Sequence, residues 1–546
     1  MLPPSLRSAA LAVALAVCPG GVAFAQCGET LAADSPGLID DHFGESMDVH
    51  GKRLVVAAPR DGDAGHWAGA AWVFERVMGQ WQLEQKLVPT DLPPGAVFSH
   101  AQVALEDEWL FAASVWEPTP DLNGDRGVVR VYRRDQSGWQ PFQKLWQPGT
   151  GASSGFAARI EADQDQLVVS ARGQQKLYLY GFDGSQWVLR QGLTDPEPAA
   201  QGDWLGVDVA MDDKCLATSS VREVDGDGVV GNSPARLVVY IFERGFQTSN
   251  TDDYGFLGRI DFAASQALQP GALTIRHDKL AVQGIVSPES QEAELHLFDM
   301  SLGAEPFQRL KPPDGVDVEF GRSLAFAGDD LLLVGGRGSS VLGPIGRAVT
   351  FRQTPLGWQA ESEFRPLATD GSTKFATKVR AKGDDDLFVA SRIYQGPSIT
   401  GEVHVYDALQ SPSLQVDVSD VSLSAGGVQT LSLRCCDDLA GCTYLVLGAL
   451  SLPPADAGIA LDGSHLPLVI DIWFLTTLAQ ANAGIFSSTV GLLDAKGEAQ
   501  AQIQVPAGSD PSLAGIELFH AALVLEAPGS GRVLSTTVPT RLGLAP

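Results

Sequence analysis

Two short stretches gather the oxygen atoms that a hard cation takes as ligands: Asp121-Leu122-Asn123-Gly124-Asp125 and Glu223-Val224-Asp225-Gly226-Asp227-Gly228. Asp121, Asn123 and Asp125 alternate in the first, and Glu223, Asp225 and Asp227 in the second, a spacing that could converge on calcium. The glycine at the sixth position of the second loop allows a sharp turn. Both loops lack the bidentate glutamate at position twelve, where Tyr132 and Pro234 stand. The competing reading is a pair of solvated Asp/Gly turns. Calcium is the one cofactor the sequence admits.

Catalytic signatures are weaker still. Gly151-Ala152-Ser153-Ser154-Gly155 has the spacing of a nucleophile elbow, but that chemistry needs a strand-to-helix turn, and this string sits in a linker before Phe156 with no helical pattern after it. The nine histidines are scattered without an H-E-x-x-H string. Carboxylates are too abundant for one pair to stand out as acid and base, so no catalytic residue is assigned. Of the eleven tryptophans, Trp67 and Trp116 fall in loops after second strands and are the candidate ligand contacts. Trp81, Trp139, Trp187 and Trp358 recur at one position of a repeat and belong to packing.

That repeat must position everything else. An aromatic or leucine followed by a small residue recurs as Phe43-Gly44, Phe98-Ser99, Phe156-Ala157, Leu205-Gly206, Phe320-Gly321 and Phe375-Ala376. Eleven residues after the first member comes an apolar strand residue, Leu54, Trp109, Leu167, Leu216 or Leu331, and in the last unit Leu387 one residue later. A seventh copy near Leu268 to Leu280 keeps the spacing without the small residue. Further on, each unit has an alternating strand ending on an aromatic, such as Trp72-Val73-Phe74 or Tyr240-Ile241-Phe242. In four units a glycine precedes that aromatic by five residues: Gly69, Gly127, Gly346 and Gly401. Several units add a tryptophan and a fourth strand. Four strands at a period of about 50 to 60 residues is one blade of a propeller, and no blade buries both faces of its own sheet. The expected fold is all-β: a seven-bladed β-propeller followed by a β-sandwich. Cys27 to Leu31 resembles a fourth-strand end, so the N-terminal strand is expected to complete the last blade.

Phe43-Gly44-Glu45-Ser46, Leu54-Val55-Val56-Ala57-Ala58-Pro59 and Gly69-Ala70-Ala71-Trp72-Val73-Phe74 resemble the FG-GAP repeat of integrin α-subunit propellers and of bacterial secreted proteins. The resemblance covers roughly residues 26 to 410. It implies a propeller that binds extracellular partners. In integrin-type repeats a calcium loop lies between the Phe-Gly strand and the Gly-Ala-Pro strand; here that connection is a tight turn such as His50-Gly51-Lys52, so the resemblance does not carry calcium across. From Ser411 onward Tyr444 to Gly448, Leu461 to Leu468 and Gly491 to Gly497 resemble a C-terminal module of secreted planctomycete-type proteins.

Residues 1–25 read as a secretory signal peptide, with Arg7, the apolar run Ala9 to Val17 and the cleavage string Ala23-Phe24-Ala25. The expected domains are then 26–410 for the propeller and 411–546 for the sandwich, which contains long apolar strands including Thr443 to Leu450, Leu466 to Leu478 and Leu518 to Leu525. No later stretch reaches the length of a membrane span. The net charge of −28, from 66 acidic and 38 basic residues, repels phosphate backbones, so nucleic acid is excluded as a partner. Cys27, Cys435, Cys436 and Cys442 are the disulfide candidates, with Cys27 expected to pair with one of the other three and tie the two regions together. Cys215, in the fourth unit, lies across the ring. The functional expectation is a secreted or surface-displayed, non-enzymatic binding or adhesion protein that recognises a protein or glycan through its loop faces. The alternatives are a propeller hydrolase or lyase acting on extracellular polysaccharide through the central channel, and a calcium-dependent adhesin.

Overall fold

A computed structural model describes residues 28–546 apart from 34–40, 78–79, 93–100, 119–124, 150–154, 198–203, 224–234, 249, 251, 263–270, 286–292, 302–304, 314–318, 337–345, 356, 365–372, 383–385, 396–397, 408–411, 436–438, 454–457, 462–463 and 526–532. Alternating apolar residues and short turns give sheets of four antiparallel strands, one after another. Sheet 1 spans 47–87, sheet 2 102–146, sheet 3 156–194, sheet 4 204–261, sheet 5 273–310 and sheet 6 323–364. Sheet 7 joins Thr373–Lys382, Asp386–Gln395 and Ser398–Asp407 to the N-terminal strand Gly28–Ala32, which pairs antiparallel with the last of these, Gly28 opposite Tyr406.

Each sheet is too thin to bury its own apolar faces, and the seven joints between neighbours do so instead. Val55, Ala57 and Val73 of sheet 1 pack on Leu105, Leu110 and Trp139 of sheet 2. Comparable clusters join sheets 2 and 3, 3 and 4, 4 and 5, 5 and 6, and 6 and 7. Phe43, Met47 and Leu54 then pack on Phe388, Ala390 and Val403 of sheet 7. The ring of a β-propeller is thereby closed.

The repeated aromatic and small pair has two physical causes. Phe43, Phe156, Leu205, Phe320 and Phe375 are fully buried in these joints. The residue after each, Gly44, Ala157, Gly206, Gly321 or Ala376, has φ between 54° and 85°, a left-handed conformation in which a larger side chain is strained. The glycine of the third strand answers to the same aromatic. A Cβ on Gly127, Gly346 or Gly401 would lie 2.1, 2.0 or 1.7 Å from the carbonyl oxygen of Phe156, Phe375 or Phe43 in the next sheet around.

A second device recurs on the outer strands. Gln143 of sheet 2 accepts from the Trp187 N–H at 2.8 Å and donates to the Trp187 carbonyl at 2.9 Å. Gln85 holds Trp139, Gln191 holds Tyr254 and Gln308 holds Trp358 in the same way. At the closing joint Glu29 can only accept, and it takes the Trp81 N–H at 3.0 Å. Gln143→Ala, which strands two backbone groups, is expected to cost about 2 kcal/mol, and Gln143→Glu, which keeps the acceptor, less than half as much. Urea unfolding of the two variants checks the order.

Beyond residue 411 two sheets face each other. Ser413–Val416, Gly427–Arg434, Glu498–Val505 and Phe486–Ser487 form one, and Asp420–Ser422, Thr540–Ala545, Glu517–Leu525, Thr443–Ala449 and Val490–Leu492 the core of the other. Leu431, Leu433 and Ile503 meet Val446, Ala522 and Leu542 between them. The other face of the second sheet is covered too, which explains the unbroken apolar run at Thr443–Ala449. Here the structure corrects the sequence reading. Leu466 to Leu478 is not one strand: after the short strand Ser464–Leu466 it turns into the helix Ile472–Ala479. Asp471 starts that helix by accepting the Trp473 and Phe474 N–H groups, and Phe474 packs on Leu447 and Leu523.

Candidate functional site

Of the acidic loop candidates, Asp121, Asn123, Asp225 and Asp227 lie outside the described residues. Asp125 and Glu223 fall at strand ends, opposite Pro118 and Ala235, so both loops connect second to third strands. Trp116 lies in the strand Trp109–Pro118. Trp67, at φ 53°, is half-buried, with His66 stacked 4.3 Å away and the Arg60 guanidinium 4.7 Å over its ring. Trp81, Trp139, Trp187 and Trp358 are all buried. Cys27 and Cys436 lie outside the described residues, and with Cys27 the expected bond to one of Cys435, Cys436 or Cys442. Cys435 is buried in the C-terminal core with Cys442 beside it, and burial pushes its thiol up to about 12.

The turns between first and second strands form one face of the ring, and ion pairs lace several of these turns to the next sheet. Lys214 reaches Asp278 at 2.9 Å, and Arg276 and His277 reach Asp329 at 3.2 and 3.0 Å. His50 stands between two carboxylates, Nδ1 2.9 Å from Glu106 and Nε2 2.9 Å from Asp107. These three residues form a cluster with metal-ligand atom types. Both ring nitrogens are spent on carboxylates, however, and the arrangement repeats the cation-to-carboxylate pattern of the neighbouring turns. It is an inter-sheet ion pair.

Where sheets 2 and 3 meet, this face carries an aromatic groove of ≈ 760 Å³ lined by Glu108, Trp109, Gln164, Asp165, Phe182 and Arg244. Trp109 packs edge-on against Phe142 at 4.9 Å and lies 4.8 Å from Phe182. Phe142 is 37 % exposed and lines a neighbouring groove, of ≈ 490 Å³, with Tyr132, Gln140 and Lys144. Arg133 holds Glu108 at 2.7 Å with its guanidinium 5.1 Å from the Trp109 ring, and Arg244 holds Asp252 at 3.0 Å. Sequence counting from Phe98 placed Trp109 in the repeated strand position. Pairing gives that position to Leu110, since Leu105 opposes Leu110 as Val49 opposes Leu54. Trp109 stands one residue earlier, opposite Glu106, where sheet 1 has Arg53. An aromatic at this place in only one unit was the available signal.

The central channel is charged. Alternate residues of the inner strands line it, Ser46, Gln102, Arg159, Asp208, Ser323 and Lys378 in one layer, then Asp48, Glu161, Ala210, Thr274, Ala325 and Arg380 in the next. They surround a cavity of ≈ 200 Å³. Arg380 of sheet 7 crosses the bore, 3.8 Å from Glu161 of sheet 3 and 3.7 Å from Asp48 of sheet 1. Arg159 lies 3.3 Å from Asp208. About a quarter of the Glu161 and Arg380 side chains is accessible, but only to the channel, with protein on every side. That enclosure raises the Glu161 carboxyl to about 8 despite Arg380, with Asp48 adding to the rise. It lowers the Lys378 amine to about 7, with Arg159 contributing next.

Residues 29–74, the N-terminal strand together with three strands of sheet 1, match the family model of the FG-GAP repeat. The chain carries an FG-GAP repeat. No curated protein sequence matches it. Among solved structures, the chain is similar to the WD40 domain of coronin from Toxoplasma gondii, at 11 % identity over 71 % of this chain and 90 % of that one, with a TM-score of 0.41. It is also similar to the β-propeller domain of the Trilobed protease from Pyrococcus furiosus, at 8 % identity over 68 % and 99 % of the two chains, with a TM-score of 0.38. Among the described residues no helix is long and apolar enough to cross a membrane.

Proposed function

We propose that this FG-GAP propeller is an exported, non-catalytic binding protein that recognises an extracellular glycan, free or carried on a protein, at its turn face. The observation that supports this reading is the groove of Trp109 and Phe182 between sheets 2 and 3, with the exposed ring of Phe142 packed beside both. Aromatic rings take the C–H faces of a sugar, while the carboxylates Glu108 and Asp165 and the guanidinium of Arg244 offer fixed acceptors and donors for its hydroxyls, the mix of apolar wall and few polar groups typical of a ligand site. Export rests on the N-terminal 25 residues, and attachment or spacing would fall to the sheets beyond residue 411.

Phe142→Ala is expected to weaken glycan binding about tenfold or more, in line with loss of an exposed aromatic anchor, while the unfolding midpoint barely changes because the ring is 37 % exposed. A glycan array followed by calorimetric titration of wild type and variant tests it. Binding that is absent in the wild type, or unaltered in Phe142→Ala, removes the reading.

Enzymatic action through the channel is the second reading, favoured by the Glu161 carboxyl and the Lys378 amine, both titrating near neutrality. Size weighs against a polysaccharide substrate: Arg380 crosses the bore, and the cavity of ≈ 200 Å³ has no room for a polymer chain.

A further inference from the structure

We propose that the central channel is a binding site for a small oxyanion, the carboxylate or phosphate group of a low-molecular-weight solute, seated between Lys378 of sheet 7 and Arg159 of sheet 3.

The channel's other charges already have partners. Asp208 accepts from Arg159 and from the Leu273 N–H at 3.2 Å. Asp48 accepts from the Leu105 N–H at 2.7 Å and shares Arg380 with Glu161. Glu45, beside the upper layer, is held by Arg392. Among the described residues no ion pair or hydrogen bond reaches the Lys378 ammonium, although it lines the cavity. A buried charge without a partner is costly, and an anion in the cavity would supply one.

Further guanidinium groups stand close to Lys378 and Arg159. Arg172, whose guanidinium among the described residues donates to the carbonyls of Gly206 and Val207, is brought down to about 10 by burial and then by Arg159. Lys378 is brought down by burial and then by Arg159 too. Sheet 6 adds Arg322 and sheet 5 adds Arg276 to the lining, paired with Glu319 and Asp329. Basic and acidic side chains are equal in number around the cavity as a whole, so an anion is favoured only beside Lys378 and Arg159, and the net charge of −28 disfavours large polyanions and leaves small ones as the occupants.

Binding should therefore be linked to protonation. The oxyanion favours the ammonium form, which is complete below the Lys378 value of about 7 and is lost above it, so affinity falls as pH rises. Glu161, raised to about 8, loses its proton over the same interval and adds a like charge, with the same sign of effect. Asp48, Asp208 and Glu45 remain engaged by the arginines named above.

The test is titration calorimetry and thermal unfolding of the full chain with sulfate and with acetate, probes whose charge is constant between about pH 6 and about pH 8.5. Expected is saturable binding of at least one anion at the lower pH, roughly tenfold or more weaker at the higher. A response to sulfate alone assigns a phosphate-type ligand, and a response to acetate alone a carboxylate. Lys378→Gln abolishes the binding; should that variant not fold, Lys378→Arg carries the test by binding with the pH dependence reduced to the Glu161 contribution. Absence of binding in the wild type at both pH values overturns the proposal. So does binding that survives Lys378→Gln, or a full pH dependence retained in Lys378→Arg.

Discussion

Gly401→Ala is expected to destabilise the protein by about 3 kcal/mol, the upper end of the usual penalty for overpacking. The added methyl carbon would stand 1.7 Å from the Phe43 carbonyl oxygen and 2.7 Å from its carbonyl carbon. These are backbone atoms that cannot rotate away, and Phe43 is fully buried in the closing joint. Relief requires sheets 7 and 1 to part, which uncovers the cluster of Phe43, Met47, Phe388 and Val403. Gly258→Ala, on an outer strand with nothing within 4 Å of the new carbon, is the control and should change stability by only about 0.5 kcal/mol. Urea or guanidinium unfolding of the two variants decides it. A Gly401→Ala protein as stable as the control would mean that the joint is not packed as described.

Removing residues 28–32 is expected to have the larger effect, about 5 kcal/mol or more. The estimate adds the loss of a buried leucine, Leu31, at about 2 to 5 kcal/mol to the loss of a five-residue ladder against Glu402 to Tyr406. Glu29 is lost with it, so the Trp81 N–H loses its acceptor. The strand Ser398–Asp407 then becomes an open edge, and an open apolar edge invites association. The truncated protein should aggregate or lose cooperative unfolding, and a synthetic peptide of residues 26–34 added in trans should restore it by strand addition. A truncated protein with unchanged unfolding would show that the ring does not depend on this strand.

The features legible in the sequence were those repeated in register. The Phe-Gly pairs, the third-strand glycines and the recurrent tryptophans each answer to a joint between neighbouring sheets, so a reader comparing units meets the same physical constraint several times. The reason for the small residue was only half visible: close approach can be guessed from size, whereas the left-handed backbone at Gly44 and Ala376 cannot. Features that occur once were harder to read. The run Leu466 to Leu478 has the apolar content of a buried strand, and only Asp471, as a helix-starting acceptor, separates it from one. Trp109 was displaced by one residue because Leu105 lies seven residues after Phe98 whereas Val49 lies six after Phe43, the two turns being equal in length, and it took strand pairing to show it beside Phe142 and Phe182. The channel charges were present in the sequence throughout, but Arg159, Glu161, Lys378 and Arg380 come together only once two inner strands far apart in the chain face each other across the axis.

The closed ring is the claim on which the groove, the channel and both stability predictions depend, and native-state hydrogen exchange tests it most directly. The amides of residues 28–32 and those of 398–407 should exchange together, at the rate of global unfolding and in step with the core strand Arg53–Ala58 of sheet 1. Fast exchange of residues 28–32, with residues 398–407 protected independently of them, would contradict it.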